Sequence, residues 1–345
     1  MSPADSHRHL LTRLQEQVDA VTATALRGAR RVALVNYPNH GNAGDPAVWL
    51  GAHASLRRLG VRVGYQCDAR SYDPRALAAT RPEAILINGG GNLGDLWRQQ
   101  QRGRERVLAD FPRLPTVQLP QSIHFEGTKR LQRMQRLVAG HRDLTLLLRD
   151  PASLAFAREH FDAPARLCPD LAFALGPLPR MASARRQLLW LARSDKESTV
   201  SVPPSLGLDA EVLDWVGPVD DELRWRTSTR LAQRTNRLLT RQLGQDGGRL
   251  PPGAWRLLAD TYRPLARARV ARGLLILARG EVVVTDRLHG HVLSLLQGIE
   301  HVVLDSGTGK TRALVDTFTG DDPLVHWAET PEQALSIAQG LLAAR

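Results

Sequence analysis

The stretch that most constrains this chain is residues 281–310, EVVVTDRLHGHVLSLLQGIEHVVLDSGTGK. Four β-favouring residues, Val282 to Thr285, run into Asp286, a good helix N-cap, and then into Leu288, Val292, Leu295 and Ile299 at helical spacing. Gly298 closes that helix, and His301 to Leu304 begins a second apolar run. Strand, helix and strand in this order predict a right-handed βαβ crossover in a parallel sheet, so the chain is expected to be an α/β protein. Ligands of open α/β sheets collect beyond the carboxyl ends of the strands, which puts Asp286, Arg287, Leu288 and His289 where one would bind.

The positive end of the helix with Arg287 beside it suits an anion, and His289 offers a proton. The competing reading of His289 is a core residue, because its neighbours Leu293 and Leu296 are apolar. His291 lies two positions on, on another side of the helix, so the spacing does not suit a metal pair.

At 345 residues the chain exceeds an ordinary single core, and two domains are expected. An amphipathic helix is predicted within residues 1–29, one Rossmann-like domain over 30–175, a linker over 176–186 and a second domain over 187–345. Cys67 and Cys168, the two cysteines, give no disulfide framework and fit a reducing compartment. The first residues lack the apolar core of a signal peptide, and no run of about 18 apolar residues could span a bilayer, so a cytoplasmic location is expected.

A net charge of +11 admits nucleic acid, an anionic membrane face or an anionic substrate. Lys129, Lys196 and Lys310 are the only lysines among 46 basic residues, and the arginines are dispersed along helices. With aromatic residues at 5%, no stacking platform for single strands is visible, so no nucleic-acid partner is expected.

Along the first domain, strands are predicted at Arg31–Asn36, Val61–Tyr65, Ala84–Asn88, Pro115–Leu119 and Leu144–Leu148, with a last short strand and turn in Leu167–Phe173. The first ends in NHGNAGDP, where Gly41 and Gly44 permit close backbone approach, Asp45 is the expected N-cap and Pro46 the first helical residue. The third runs into GGGNLGDLW, a second glycine turn at a strand exit. Gln121, Ser122 and His124 follow the fourth, and Arg149 with Asp150 the fifth, where a guanidinium fork can hold a carboxylate or phosphate.

In the second domain, Gln187–Glu197 reads as a strand whose exit carries Arg193, Asp195, Lys196 and Glu197. Residues 221–280 are arginine-rich and helical, with a loop around 244–253 and no clear strand; helices are expected at Thr311–Phe318 and Pro331–Ala344. SGTGKT, Ser306 to Thr311, has the setting of a P-loop, but Leu304 stands where the first glycine is required. An ATPase is therefore not expected, although Lys310 can meet an anion as a point charge.

In order along the chain, NHGNAGDPAV, INGGGNLGDLW, PQSIHF, LLLRDPASLAF, CPDLAFAL, LARSDKE, Asp214 with Trp215, VVTDRLHGHVLSLLQG and LDSGTGK resemble the polysaccharide pyruvyltransferase family over about residues 32–318. The resemblance implies two Rossmann-like domains facing across a cleft, as in GT-B glycosyltransferases, with parallel sheets flanked by helices. It implies transfer of the pyruvyl group of phosphoenolpyruvate to a sugar of a cell-surface polysaccharide or its precursor, as a ketal, with release of phosphate and with no cofactor or metal.

By that likeness His289 is the general acid, Arg287 and Leu288 bind the donor, and Arg149 holds it from the opposite domain. Lys310, Asn42, Asp45, Gly90, Gly91 and Asn92 are further cleft positions. Protonating the donor's methylene carbon demands an acid. A bound anion about 4 Å away contributes about 4 kcal/mol towards an imidazolium, against about 0.3–1 kcal/mol lost to the helix end. Implied partners are phosphoenolpyruvate and a sugar or lipid-linked glycan, with peripheral contact to the inner membrane face. A GT-B glycosyltransferase using a nucleotide sugar is the alternative, since fold alone does not settle function.

Overall fold

The computed structural model describes residues 2–345 other than 194–199, 216–221, 244–249, 251–252, 306 and 308, and only the backbone of 222–228. The first half supplies α1 (Pro3–Leu26), β1 (Arg31–Tyr37), α2 (Gly44–Arg58), β2 (Arg62–Asp68), α3 (Pro74–Ala79), β3 (Ala84–Ile87), β4 (Gly90–Gly94), α4 (Arg98–Asp110), β5 (Thr116–His124), α5 (Thr128–Ala139), β6 (Leu144–Leu148), α6 (Pro151–His160) and β7 (Ala165–Leu167). The second supplies β8 (Arg186–Leu191), β9 (Ala210–Leu213), α7 (Glu222–Leu243), α8 (Ala254–Leu277), β10 (Gly280–Thr285), α9 (Leu288–Leu296), β11 (His301–Val303), α10 (Lys310–Leu314), β12 (Val325–Trp327) and α11 (Pro331–Ala343).

Both sheets are parallel. The first runs β2-β1-β3-β5-β6-β7, with β4 also paired to β5, and the second runs β12-β11-β10-β8-β9. Strand order reverses between β1 and β3 in one sheet and between β8 and β10 in the other. Such reversals open crevices at the strands' carboxyl ends. The expected unit at residues 281–310 is therefore present as β10, α9 and β11, with Val283 opposite His301.

Buried leucines of α1 serve both halves. Leu10, Leu11 and Leu14 share a core with Leu189, Val283 and Leu293, whereas Val18 and Leu26 lie in the core of the first sheet with Leu34 and Leu86. The same two cores take Val270 and Leu274 of α8 on one side and Leu258 and Tyr262 on the other. Helix α8 thus joins the halves, packing on α2 and β2 as well as α9.

Several local expectations are corrected. Neither Asp45 nor Asp286 caps a helix. Asn42 Oδ1 accepts from Gly44 N at 2.7 Å and α2 starts at Gly44, two residues before the expected Pro46, while Asp45 turns to His40 at 3.1 Å. Thr285 Oγ1 accepts from Arg287 N at 3.1 Å, so Asp286 is left to accept from Arg193 N across the sheet at 3.0 Å.

The short strand and turn expected in Leu167–Phe173 are present with a shifted boundary: β7 ends at Leu167, and Leu171–Leu175 is a 3-10 turn begun by Asp170, whose carboxylate accepts from Ala172 N. Three short strands escaped the pattern, β4 within the glycine turn, β9 and β12. The helix expected at Thr311–Phe318 is α10 followed by a π-turn over Val315–Thr319. Most of the expected 244–253 loop, and Asp195, Lys196 and Glu197, lie outside the described residues.

Candidate active site

The two strand-order reversals face one another across a cleft of about 1450 Å³. One wall comes from the segments after β1 and β3, which contribute Asn42, Asp45, Gly91 and Asn92, and from Arg149 after β6. The other carries Arg287, Leu288, His289 and Lys310. Nine of the ten residues expected in the site therefore line it. Gly90, the tenth, lies just behind in a left-handed conformation (φ 123°), where a Cβ would sit 3.4 Å from Asp45 Oδ1.

Arg149 is buried at the end of β6. Its Nε donates to Ser122 Oγ at 2.9 Å and its Nη1 to Asp170 Oδ2 at 2.7 Å, which leaves Nη2 beside Gly91. A Cβ on residue 91 would approach that Nη2 to 3.1 Å, so glycine keeps room for a ligand at the fork.

His289 comes from the facing wall, and its Nε2 is 3.5 Å from the same Asp170 Oδ2. It is 9% exposed and opens on the cleft rather than being lost in the core. Gly44 makes its place: a Cβ there would lie 2.4 Å from Nδ1 and 2.6 Å from Cβ of the imidazole. Arg287 is held by Asp214, Nη2 to Oδ1 at 2.5 Å.

Charge follows from these contacts. Burial would raise the Asp170 carboxyl, but the nearby His289 imidazole, the Arg149 guanidinium and the Ala172 amide hold it well below the usual carboxylate range. Burial opposes ionisation of Asp45 too, and the His40 hydrogen bond, with the charges of His289 and Arg149, keeps it low. Asp286 behaves oppositely: burial lifts it to about 6 despite Arg287 and Arg193.

Arg104 supports the glycine turn from beneath. It is buried and donates to Gln118 Oε1 at 2.7 Å, Gln101 Oε1 at 2.8 Å and Asn92 Oδ1 at 2.8 Å. Gln121 donates to that Asn92 oxygen as well, at 2.7 Å, so the Asn92 side chain is fixed by the protein. Arg98, Lys129, Arg130 and Arg193 add positive charge to the cleft lining, which suits an anionic ligand. Among the described residues no group of three or more His, Cys, Asp or Glu could hold a metal ion.

Asp170 and Asp214 fall in segments that carry the resemblance, but sequence reasoning assigned neither of them a role in the site. Asp170 stands three residues beyond β7, near the strand-exit position that singled out Arg149, but within the expected turn no feature of the sequence set it apart from an ordinary turn aspartate. Asp214 follows β9, a strand of four half-exposed or exposed residues with no apolar alternation to reveal it. His40 was also unmarked, because its partner Asp45 was expected at a cap.

Two parallel sheets meeting at their switch points, with cationic groups from both around one carboxylate, define the class. The chain belongs to the polysaccharide pyruvyl transferase family, whose profile matches residues 42–308, and it is accordingly a transferase of pyruvyl groups in polysaccharide synthesis. It is 30% identical over 297 residues to "Pyruvyl transferase 1" of Schizosaccharomyces pombe, covering 81% of this chain and 67% of the relative. Over 294 residues it is 30% identical to "Putative pyruvyl transferase EpsO" of Bacillus subtilis, covering 83% and 85%. The crystal structure of a functionally uncharacterised Klebsiella pneumoniae protein superposes with a TM-score of 0.55 at 16% identity, covering 92% of this chain and 99% of that one, a likeness of fold.

Proposed function

We propose that the protein takes the pyruvyl group of phosphoenolpyruvate and places it as a ketal on two hydroxyls of a sugar in a cell-surface polysaccharide or its precursor, releasing phosphate. The observation that carries this reading is the convergence of Arg149, His289 and Arg287, from both walls of one cleft, around Asp170 and Asp214.

The chemistry needs one acid and an anion clamp. His289 gives its proton to the methylene carbon of the donor, which becomes a methyl group and leaves an oxocarbenium centre. A sugar hydroxyl adds to that centre and releases a proton that restores the imidazolium. Phosphate then leaves with its bonding electrons, and the second hydroxyl closes the ketal, its proton going to the departing phosphate. Asp170, fixed by Arg149 and the Ala172 amide, holds the imidazole in place.

Arg149 spends two of its five N–H groups on Ser122 and Asp170 and retains the edge beside Gly91 for the donor. Arg287 and Lys310, on the other wall, offset the charge of the carboxylate and phosphate as charge builds on the leaving group. The donor serves as the reaction's own activated group, so no cofactor enters the proposal, and a cytoplasmic enzyme would meet both donor and precursor.

The test is incubation with phosphoenolpyruvate and a panel of cell-wall and exopolysaccharide precursors, following phosphate release together with a matching mass gain on the glycan. Thermal protection by phosphoenolpyruvate is expected. Protection by a nucleoside diphosphate instead would point to a nucleotide-sugar glycosyltransferase.

A further inference from the structure

Helix α7 turns an unusual face to solvent. Leu231 is 79% exposed and Leu238, two turns on, is 61% exposed. At about 100° per residue these two leucines form a stripe, and Arg230, Arg234, Arg237 and Arg241 form a second stripe beside it within about 140° of arc. None of the four arginines makes an ion pair with a described residue. The opposite side of the helix is the packed one, where Leu243 is buried, Leu239 packs on the first core and Asn236 donates to Thr261 at 2.8 Å.

The neighbouring helix continues the pattern. Leu257 of α8 is 59% exposed, and Arg256, Arg263 and Arg267 are exposed around it with Asp260 as the one exposed carboxylate of that face. Exposed leucines flanked by exposed arginines are the composition of a helix lying in a membrane interface, where leucines enter the acyl boundary and arginines meet anionic headgroups. A surface that met only a polyanion would have no use for the leucines. The position also fits, because Asn236 Oδ1 accepts from Asn39 at 3.2 Å, and the next residue, His40, lines the cleft.

We infer that the outer face of α7, with Leu231 and Leu238 beside Arg230, Arg234, Arg237 and Arg241, docks the protein on an anionic lipid bilayer. Docking there holds the cleft rim at the membrane surface, where a glycan carried on a lipid would present its sugar. Each arginine near such a surface strengthens partitioning about fivefold.

The full chain is tested by flotation with vesicles of phosphatidylcholine alone and of phosphatidylcholine mixed with phosphatidylglycerol. Binding is expected only to the mixed vesicles and is expected to weaken with salt. Arg234→Glu with Arg241→Glu should lower it at least about 25-fold. Leu231→Ser with Leu238→Ser should lower it about tenfold, and both pairs should melt as the parent does. Absence of binding to the mixed vesicles overturns the inference. So does a leucine pair that binds like the parent, which would mark a purely electrostatic surface such as one for nucleic acid. A dimer in sedimentation that the leucine pair dissociates would likewise replace the bilayer by a second copy of the chain. Binding is read without donor or acceptor, so its failure leaves the transfer reading untouched.

Discussion

Arg149, just beyond β6, and His289, in α9, come from different halves and meet on a single oxygen, Oδ2 of Asp170, at 2.7 Å and 3.5 Å. The carboxylate is fully buried, and the guanidinium and the imidazole approach it from facing walls of the cleft. The site is thus assembled by the closure of one half on the other.

Asp170→Asn should cost both stability and turnover. It leaves Arg149 buried without its counter-charge, a change that destabilises by about 3–5 kcal/mol when one member of a buried pair is removed. Denaturant unfolding at neutral pH measures it, and an unchanged midpoint would show that Arg149 has no need of this anion.

His289→Ala should fold and lose transfer. The loss expected for a general acid is about 10² to 10⁴ in kcat, read as phosphate released with acceptor present. Undiminished turnover in the purified variant would remove His289 from the mechanism.

Gly44→Ala tests placement alone. Gly44 has no positive φ and opens α2, so the backbone accepts alanine, but the new Cβ would fall 2.4 Å from His289 Nδ1. Ring rotation leaves the 2.6 Å contact with His289 Cβ, so the start of α9 must shift with the ring by about 1 Å, and a misplacement of that size costs about 10² in rate. Wild-type turnover in a normally melting variant would show that the ring has freedom to adapt.

Arg149→Ala and Arg287→Ala should mainly weaken the donor. Truncating one buried charged partner costs about 2–5 kcal/mol, so donor KM should rise at least about 30-fold. An unchanged KM for phosphoenolpyruvate in both would contradict the cleft as the donor site.

Acid should destabilise the protein before its carboxylates are protonated. Behind His289, the buried His291 Nδ1 and His301 Nε2 lie 2.7 Å apart. Burial and mutual repulsion push His291 well below its ordinary value, and burial pushes His301 down to about 4. The unfolded chain takes up protons on these imidazoles below about pH 6.5 while the folded chain does not. Stability therefore falls as pH drops from about 6.5 towards 4, by up to about 1.4 kcal/mol per unit for each ring.

Asp286, lifted to about 6, acts in the other direction: it contributes least above pH 6 and recovers below. Two rings outweigh one carboxyl, so the net slope remains a loss in acid. Asp286→Asn should raise stability at neutral pH by up to about 3 kcal/mol and steepen the acid decline, both measurable by denaturant titration at several pH values.

What the sequence revealed was whatever depends on neighbours along the chain. The β10–α9–β11 unit carries apolar runs at helical and strand spacing, and Arg149, Arg287 and His289 follow strands directly, so the strand-end rule found them. Asp45 and Asp286 were misread because capping is a competition: Asn42 and Thr285 took the amides, Asp45 turned back to His40, and Asp286 turned to Arg193 across the sheet. Asp170 could be recognised as an anion between two cations only after both sheets had been placed, and β9 only after β8 supplied its ladder.

The early helix α1 lays Leu10, Leu11 and Leu14 among residues such as Leu293, Leu314 and Phe318. During synthesis these leucines emerge long before the groups that will cover them. At about 5–20 residues per second the interval is roughly 15–60 s, during which the nascent chain carries an uncovered apolar stripe. The helix that unites the finished molecule is the one a chaperone would hold longest on the ribosome.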